Sequence, residues 1–329
     1  MKIALLREDE LRQCVRLDGE LIQAVEAAFT SLADGRAFVP QIIGVDIPEH
    51  HGELDVKTAY IRGLESFAIK IAAGFYDNPT RGLPVASGMM VLVSASTGFP
   101  QAVLFDNGYL TQARTGAAGA IAAKYLAQDE FETAGVIGAG TQARYQMLAL
   151  RQVRDYDRLL IYDVIPEAVE QYVKEMTPIL GVDILPQEDA EAVVCGSEVV
   201  VTTTPSRKPF LKSEWLHPGL HITAMGADGP EKQELFPDVL KLADLVVCDR
   251  KSQCFARGEL HHALEAHLIA EEDDIIELGE LTSGRRRGRT AKDQVTLCDL
   301  TGVGVQDTAI AILAYTKAIA LGLGTMFEV

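Results

Sequence analysis

One stretch decides the fold: Ala134-Gly135-Val136-Ile137-Gly138-Ala139-Gly140-Thr141-Gln142-Ala143. An apolar run breaks into closely spaced glycines, and a helical segment follows. Gly138 permits a tight turn, Gly140 lets the backbone approach a pyrophosphate, and the amide groups of a helix that begins at Thr141 and Gln142 face the phosphates. The stretch therefore predicts the first strand, turn and helix of a dinucleotide-binding domain.

The second strand of that domain predicts which dinucleotide is bound. The run 158–162 is apolar and ends at Asp163, close to the roughly 20-residue offset at which an acid accepts hydrogen bonds from a ribose 2′-hydroxyl. A carboxylate repels a 2′-phosphate, and no arginine follows directly. We therefore expect NAD rather than NADP, and a glycine turn in an α/β domain without a cofactor is the alternative.

The remaining sequence predicts two kinds of sheet. Short strand-like runs fill residues 38–75, and the runs 89–93 and 101–105 predict a hairpin, so the first half is expected to be mostly antiparallel. After residue 115, an alanine-rich helix precedes strands that alternate with helices, which favours a parallel sheet. The strands expected there are 159–162, 199–203, 221–224 and 245–248.

Helical spacing of apolar residues appears at both ends of the chain. Residues 9–34 predict a helix that Gly35 stops, and residues 307–322 predict an apolar helix that packs on the first half. The expected fold is α/β, with a Rossmann-type parallel-sheet domain at 116–305. An antiparallel α+β domain is expected to combine 1–115 with 306–329.

Composition limits the class of protein. With 329 residues, 48% apolar content and 23% charge, the chain is typical of globular proteins. A net charge of −17 disfavours nucleic acid as a partner. No apolar run approaches the length of a membrane helix, and the first residues do not resemble a signal peptide, so we expect a cytoplasmic protein.

Cysteine and histidine spacing gives no sign of a metal site. Five cysteines are scattered without a C-x-x-C pair, which predicts reduced thiols rather than a zinc site or a disulfide framework. His261 and His262 are adjacent and would point apart on a helix. We therefore expect no metal ion.

Three ordered motifs identify a family resemblance: 109–118, 138–142 and 225–235. Together they resemble the ornithine cyclodeaminase and mu-crystallin family over nearly the whole chain. The stretches 48–50, 55–60, 258–263 and 299–308 resemble its ectoine and hydroxyectoine utilisation branch. The resemblance implies a homodimer in which the antiparallel domain makes the subunit contact and half of the substrate site. It also implies hydride transfer at the Cα of a small amino acid or its imine.

The resemblance assigns roles to particular residues. Lys70 and Arg114 match the cations that hold the substrate α-carboxylate. Asp228 matches the catalytic acid, and Lys70 is also assigned to the catalytic residues. Charge-assisted contacts with the carboxylate would orient Cα, and the reacting nitrogen needs a proton shuttle beside it. The expected cofactor site also includes Thr203 and Thr204, which end a strand, and Met225 and Gly226 of the third motif.

Two departures bear on the substrate. Ornithine-specific relatives carry a glutamate thirteen residues before the substrate lysine, where this chain has Lys57. A cation there disfavours the distal ammonium of ornithine and favours a neutral or anionic side chain, unless Asp55 or Glu53 takes over the recognition. Gln41 follows Pro40 where the family often has an arginine, so one carboxylate contact is expected to be missing.

These observations predict an NAD(H)-dependent oxidoreductase acting on the C–N bond of a small amino acid, in the direction of imine reduction. One alternative is a cyclodeaminase, which oxidises its substrate, closes a ring with loss of ammonia and reduces again with the same cofactor. Another is a non-catalytic binding protein, as crystallin members of the family illustrate. Lys70, Arg114 and Asp228 together argue against the second alternative, because binding alone requires no proton shuttle.

Overall fold

The computed structural model describes residues 2–328 of the chain. Strands predominate in the first 126 residues, with 3₁₀ turns at Pro48–His50 and Asn78–Arg81. The elements are β1 (Lys2–Arg7), α1 (Glu8–Cys14), α2 (Gly19–Ala33), β2 (Ala37–Phe38), β3 (Ile43–Ile47), β4 (Gly52–Ile61), β5 (Ser66–Phe75), β6 (Ala86–Ser94), β7 (Pro100–Phe105) and α3 (Tyr109–Leu126).

Short strands alternate with helices through the middle of the chain, where a further 3₁₀ turn lies at Ser213–Trp215. The elements are β8 (Thr133–Ile137), α4 (Thr141–Leu150), β9 (Arg158–Tyr162), α5 (Pro166–Leu180), β10 (Asp183–Pro186), α6 (Ala190–Cys195), β11 (Val199–Thr202), β12 (His221–Ala224), α7 (Pro237–Leu242), β13 (Leu245–Cys248), α8 (Lys251–Cys254), α9 (Glu259–Glu265), β14 (Ile276–Glu277), α10 (Leu278–Thr282) and β15 (Thr296–Asp299). The chain ends with α11 (Gly304–Ala320) and β16 (Thr325–Glu328).

The chain divides into two compact units. Unit 1 comprises Met1–Arg114 and Val303–Val329, and unit 2 comprises Thr115–Gly302. The chain passes from the first unit to the second within α3 and returns just before α11.

Unit 1 is built on a predominantly antiparallel sheet with the strand order β16-β1-β7-β6-β5-β4-β2, and β3 also pairs with β4. Only the β1–β7 pair among these is parallel. Helix α11 packs on β4 and β5, where Val303 and Val305 join Ala59 and Ile61 in a buried cluster. The antiparallel sheet and the β6–β7 hairpin confirm the sequence prediction.

Unit 2 is built on a parallel sheet with the strand order β10-β9-β8-β11-β12-β15-β13-β14. Alternate residues of β11 enter different core clusters, Val199 and Val201 in one and Val200 in the other, so both faces are covered. From β8 the chain first adds strands on one side and then, from β11, on the other. Loops that follow β8 and β11 therefore meet at a topological switch point, where open α/β sheets bind ligands.

Several predicted element boundaries were wrong. Residues 9–34 form two helices rather than one, because the Asp18 side chain accepts a hydrogen bond from Leu21 N (3.1 Å) and starts α2 anew. Helix α3 begins at Tyr109, upstream of the alanine-rich segment. Strands β1, β10, β14, β15 and β16 were not predicted. No helix within residues 2–328 has the length and apolar character needed to cross a membrane.

Candidate active site

Three cationic side chains are buried in unit 1. Lys57 on β4 and Lys70 on β5 are direct cross-strand partners, so their side chains project from the same face of the hairpin. Arg114, on α3, is also buried. Like charges opposite each other destabilise a sheet, and burial increases the penalty. This arrangement therefore requires an anion nearby.

Asp307 supplies that anion. Its Oδ1 lies 3.1 Å from Lys70 Nζ and accepts a hydrogen bond from Arg114 Nε at 2.9 Å, and both contacts are fully buried. The neighbouring Gln306 Oε1 accepts from Arg114 Nη1 at 3.1 Å. Sequence reasoning missed both residues, although they lie in a motif that we used only for the branch resemblance. An acid and an amide in the first turn of an apolar helix were the available signal.

The start of α11 is fixed by close packing on the hairpin. A Cβ at Gly304 would lie 2.4 Å from the Thr58 carbonyl oxygen, so only glycine lets the helix begin this near to β4. The Thr308 hydroxyl donates to Ala59 O (2.7 Å) and accepts from Ala68 N (3.1 Å), which ties the helix to both strands. These contacts hold Asp307 against the two cations.

Acidic side chains lie beside all three cations. Lys57 Nζ lies 3.6 Å from Asp55, the residue that was the alternative for substrate recognition, and Asp307 serves both Lys70 and Arg114. Burial, with the charges of Arg114 and Lys57, lowers the pKa of Lys70 to about 7, although Asp307 opposes the shift. Burial alone would raise the pKa of Asp307, but the charges of Lys70 and Arg114 hold it below its ordinary value. The cluster can therefore accept a further anion such as a carboxylate.

In unit 2, the glycine loop fits a dinucleotide. Gly138 has φ +98°, and a Cβ there would lie 2.7 Å from Thr203 Oγ1 and 3.2 Å from Thr204 Cγ2. A Cβ at Gly140 would meet no described atom within 4 Å, which leaves the backbone open just before α4. The first glycine is required by the turn and by its contact with the loop after β11. The second leaves space at the N-terminus of a ten-residue helix.

Asp163 lies beside this loop. Its Oδ2 accepts from Ala139 N (2.7 Å) and its Oδ1 from Ile165 N (2.9 Å). Backbone donors thus orient the carboxylate, and each oxygen retains a second lone pair that a ribose hydroxyl can use.

The loop after β12 carries Asp228, which is about half exposed. Lys232 Nζ donates to Asp228 Oδ1 at 2.8 Å, and Arg257 Nη1 donates to the Asp228 carbonyl at 3.3 Å. An accessible carboxylate beside an ammonium group can exchange a proton with a ligand. Lys232 lies in the third sequence motif, 225–235, but the sequence analysis assigned it no role.

The structure brings the predicted residues together in two sets. Lys57, Lys70 and Arg114 form one cluster in unit 1. The glycine loop, Thr203 and Thr204 meet at the sheet edge of unit 2, and a hydrogen bond from Met225 N to Thr202 O (3.1 Å) joins the next loop to them. Glu234, which sequence reasoning missed, contacts Thr204 and Gly226.

The expectation that His261 and His262 point apart was wrong. Their ring centroids are 5.2 Å apart, because His261 Nδ1 contacts Phe255 O (3.2 Å) and His262 Nε2 contacts Lys232 O (2.8 Å). With Glu265, they present three potential ligand atoms within 4.8 Å of one another. The carbonyl contacts and the i,i+4 pair of His261 with Glu265 account for this proximity without a metal ion.

Comparisons with known proteins agree with the motifs. The chain matches the model of the ornithine cyclodeaminase/mu-crystallin family over residues 1–321. An archaeal alanine dehydrogenase dimer with bound NAD superposes with a TM-score of 0.92 at 37% identity, covering 100% of this chain and 99% of that one. The structure of Thermococcus litoralis Δ1-pyrroline-2-carboxylate reductase with NADH and L-proline superposes with a TM-score of 0.94 at 32% identity. The match covers 98% of this chain and 99% of that one.

A third solved structure adds a relative that acts on a dicarboxylate. The iminosuccinate reductase of Paracoccus denitrificans, in complex with NAD⁺, gives a TM-score of 0.91 at 29% identity, with both chains covered completely (100%). The three relatives confirm the expected fold, the class of oxidoreductase and the nicotinamide cofactor of that class.

We predict that Asp307→Asn lowers the free energy of unfolding by about 3–5 kcal/mol, because it leaves two buried cations without their anion. Denaturant unfolding checks this. Asp55→Asn is the matched control, since Asp55 is partly exposed and lies farther from its lysine, and it should cost no more than about 1 kcal/mol. Equal losses in the two variants would contradict the importance of the Asp307 contacts.

Proposed function

Because the chain belongs to the ornithine cyclodeaminase/mu-crystallin family, we propose that it is an NAD(H)-dependent reductase that converts small α-imino acids to L-amino acids. The observation that carries the proposal is the cluster of three buried cations in unit 1, two of which share the carboxylate of Asp307. Alanine, pyrroline-2-carboxylate and iminosuccinate, which name the solved relatives, all carry a carboxylate next to a carbon bonded to nitrogen. Buried, fixed positive charges suit such a group.

In this proposal, unit 2 holds the cofactor. The backbone at Gly138 and Gly140 and the N-terminus of α4 at Thr141 and Gln142 receive the pyrophosphate, and Asp163 accepts bonds from the ribose hydroxyls. Thr203, Thr204, Met225 and Gly226 border the rest of the cofactor. When bound, NAD(H) supplies the hydride for the carbon of the C–N bond.

Lys70 and Arg114 bind the α-carboxylate of the substrate. Arg114 already donates from Nε to Asp307 and from Nη1 to Gln306, so the carboxylate meets the remaining Nη edge of the guanidinium. The Lys70 ammonium adds a point charge. Because Asp307 fixes both cations, the substrate Cα is held in one orientation.

Asp228 moves the proton. Reduction of an imine adds a hydride to carbon and a proton to nitrogen, so a group that can donate and recover a proton must lie at that nitrogen. Lys232 donates a hydrogen bond to Asp228. It thereby holds the carboxylate in place and can share the transferred proton.

Lys57 selects the substrate side chain. It lies directly across from Lys70 in the hairpin, so a ligand held by Lys70 presents its side chain to a second ammonium group. An acidic group, as in iminosuccinate, would be attracted and the distal ammonium of ornithine would be repelled. The proposed preference is therefore for neutral or, above all, acidic side chains.

Two finer assignments belong to the same proposal. The stretches 48–50, 55–60, 258–263 and 299–308 support a place in the ectoine and hydroxyectoine utilisation branch. The dimeric archaeal alanine dehydrogenase supports a homodimer, with unit 1 (1–115 and 306–329 in the sequence prediction) supplying the subunit contact.

A substrate panel tests the function. Purified protein with NADH should reduce the imine formed from oxaloacetate and ammonia and should act less well on that from pyruvate. Purified protein with NAD⁺ should form little proline from ornithine. Lys57→Glu should shift the ratio of kcat/KM values toward ornithine by at least about tenfold, equivalent to about 1.4 kcal/mol. Lys57→Gln, which removes the charge without reversing it, should fall between, and NADH binding controls for folding.

Two results would change the assignment. Efficient conversion of ornithine to proline by the wild type, or no change in the ratio on Lys57→Glu, would make the cyclodeaminase the leading function. Tight NADH binding without turnover of any member of the panel would instead favour a crystallin-like binding protein.

We predict that Asp228→Asn retains NADH binding and substrate KM but lowers kcat by about 10²–10⁴-fold, because an amide keeps the shape and cannot transfer a proton. Steady-state kinetics with NADH fluorescence titration checks this. Near-normal kcat would remove Asp228 from the proton transfer and direct attention to Lys232.

We predict that succinate, an unreactive dicarboxylate, binds with a pH dependence set by Lys70. The Lys70 pKa of about 7 means that the free cluster loses a proton above neutral pH, and a bound carboxylate favours the charged form. The Kd should be nearly constant below pH 7 and rise toward tenfold per pH unit above it, with proton uptake at pH 8 in calorimetry. Lys70→Arg, which stays protonated, should abolish the dependence. A Kd that does not change between pH 6.5 and 9 in the wild type would contradict the role of Lys70.

A further inference from the structure

Glu234 is a fully buried carboxylate that accepts four hydrogen bonds. Its Oε2 accepts from Thr202 Oγ1 at 2.5 Å and from Gly226 N at 2.9 Å. Its Oε1 accepts from the backbone N and the Oγ1 of Thr204, at 2.6 and 2.7 Å. The donors belong to two segments that are separate in sequence, the end of β11 and the loop after β12.

Both segments bear on the proposed chemistry. The β11 segment continues into the loop at Thr203 and Thr204, which contacts Gly138 of the dinucleotide turn. The β12 segment continues from Gly226 to Asp228, the proposed proton donor. The carboxylate of Glu234 therefore joins the wall of the cofactor site to the loop that carries the catalytic acid, within a single unit.

The junction has no room to adjust. A Cβ at Gly226 would lie 2.1 Å from the Thr204 carbonyl oxygen and 2.6 Å from Glu234 Cδ. The two loops therefore touch backbone to backbone, and the Glu234 carboxylate fills the remaining space. A change in the hydrogen bonding of Glu234 therefore acts directly on the contact between the two loops.

The segment that carries Glu234 is itself anchored. The backbone N–H groups of Glu234 and Leu235 donate to the two carboxylate oxygens of Glu259, at 2.7 and 3.2 Å. The Glu234 carbonyl accepts from the N–H groups of Phe210 and Leu211, at 2.8 and 3.0 Å. Burial raises the pKa of Glu234 to about 6 while its hydrogen-bond donors oppose the shift. Backbone and hydroxyl donors thus make the junction a fixed point rather than a mobile contact.

We propose that Glu234 is a positioning residue that sets the distance between the Asp228 loop and the cofactor loops, and thereby the placement of the proton donor relative to bound NAD(H). This inference rests on the proposed function. Misplacement of a catalytic group by about 1 Å can lower a rate by about 10²-fold, so a junction between these loops bears directly on turnover.

Glu234→Gln tests the inference. The amide nitrogen replaces one acceptor and faces a threonine hydroxyl, which can accept from it, and a backbone N–H, which loses its acceptor. We expect kcat to fall by about tenfold to a hundredfold and the Kd for NADH to rise severalfold, with substrate KM nearly unchanged because the carboxylate-binding cations lie elsewhere. Fluorescence titration gives the Kd without any substrate.

Glu198→Gln is the matched control. Its carboxylate accepts from Glu132 N (3.3 Å) and Thr133 N (2.9 Å) at the start of β8, the opposite edge of the same sheet. It should lower Tm while leaving the NADH Kd and kcat within about twofold. Thr202→Val, which removes a single donor from Glu234, supplies a milder second variant that should move kcat and Kd in the same direction as Glu234→Gln. If Glu234→Gln does not fold, the kcat and NADH Kd of Thr202→Val test the inference instead.

The outcomes separate the two proposals. If Glu234→Gln and Thr202→Val lower Tm and leave both Kd and kcat unchanged, Glu234 is only structural and the inference is overturned. If the wild type binds NADH but reduces no imine, the proposed function fails, whereas the Kd values of the variants still decide whether Glu234 positions the cofactor loops. A wild type that does not bind NADH would overturn both.

Discussion

The carboxylate of Asp307 lies between two buried cations, and the arrangement of unit 1 depends on that contact. An unpaired buried charge is far more costly than a lost apolar contact, so Lys70 and Arg114 stay where they are only while the first turn of α11 supplies the anion. Gly304, which has no side chain, lets this first turn of α11 approach β4, and the Thr308 hydroxyl bonds it to both β4 and β5. Helix docking and charge balance therefore depend on the same first turn of α11.

Unit 2 stabilises its buried acids in another way. Glu234 is held by hydroxyl and backbone donors, and Asp249 accepts from the N–H groups of Thr301 (2.9 Å) and Gly302 (2.6 Å). Peptide dipoles stabilise a carboxylate without the flexible side chain of a lysine or arginine, and each such contact fixes a loop at the carboxyl edge of the sheet. A ligand that binds at this edge meets a surface whose backbone is already ordered.

Much of this architecture could be predicted from the sequence. The spacing of Gly138, Gly140 and Asp163 indicated the parallel-sheet unit, because a tight turn beside a phosphate restricts the residues that fit. Contacts between distant segments could not be predicted in the same way. Asp307 stands 193 positions from Arg114 along the chain, and Glu234 becomes informative only when Thr204 and Gly226 converge on it. His261 and His262 were expected to point apart on a helix. Their contacts with the carbonyl oxygens of Phe255 and Lys232 instead place the two rings side by side.

The cross-strand pairing of Lys57 with Lys70 has a consequence for how substrate range can diverge among related enzymes. The two positions share a face of one hairpin, where Lys70 contacts the Asp307 anchor and Lys57 lies 3.6 Å from Asp55. Under the proposed function, a mutation at position 57 would alter the charge presented to the substrate side chain while Lys70, Arg114 and Asp228 keep their side chains. Such a charge reversal needs a single nucleotide step, since the AAA and AAG codons of lysine become glutamate codons with one base change.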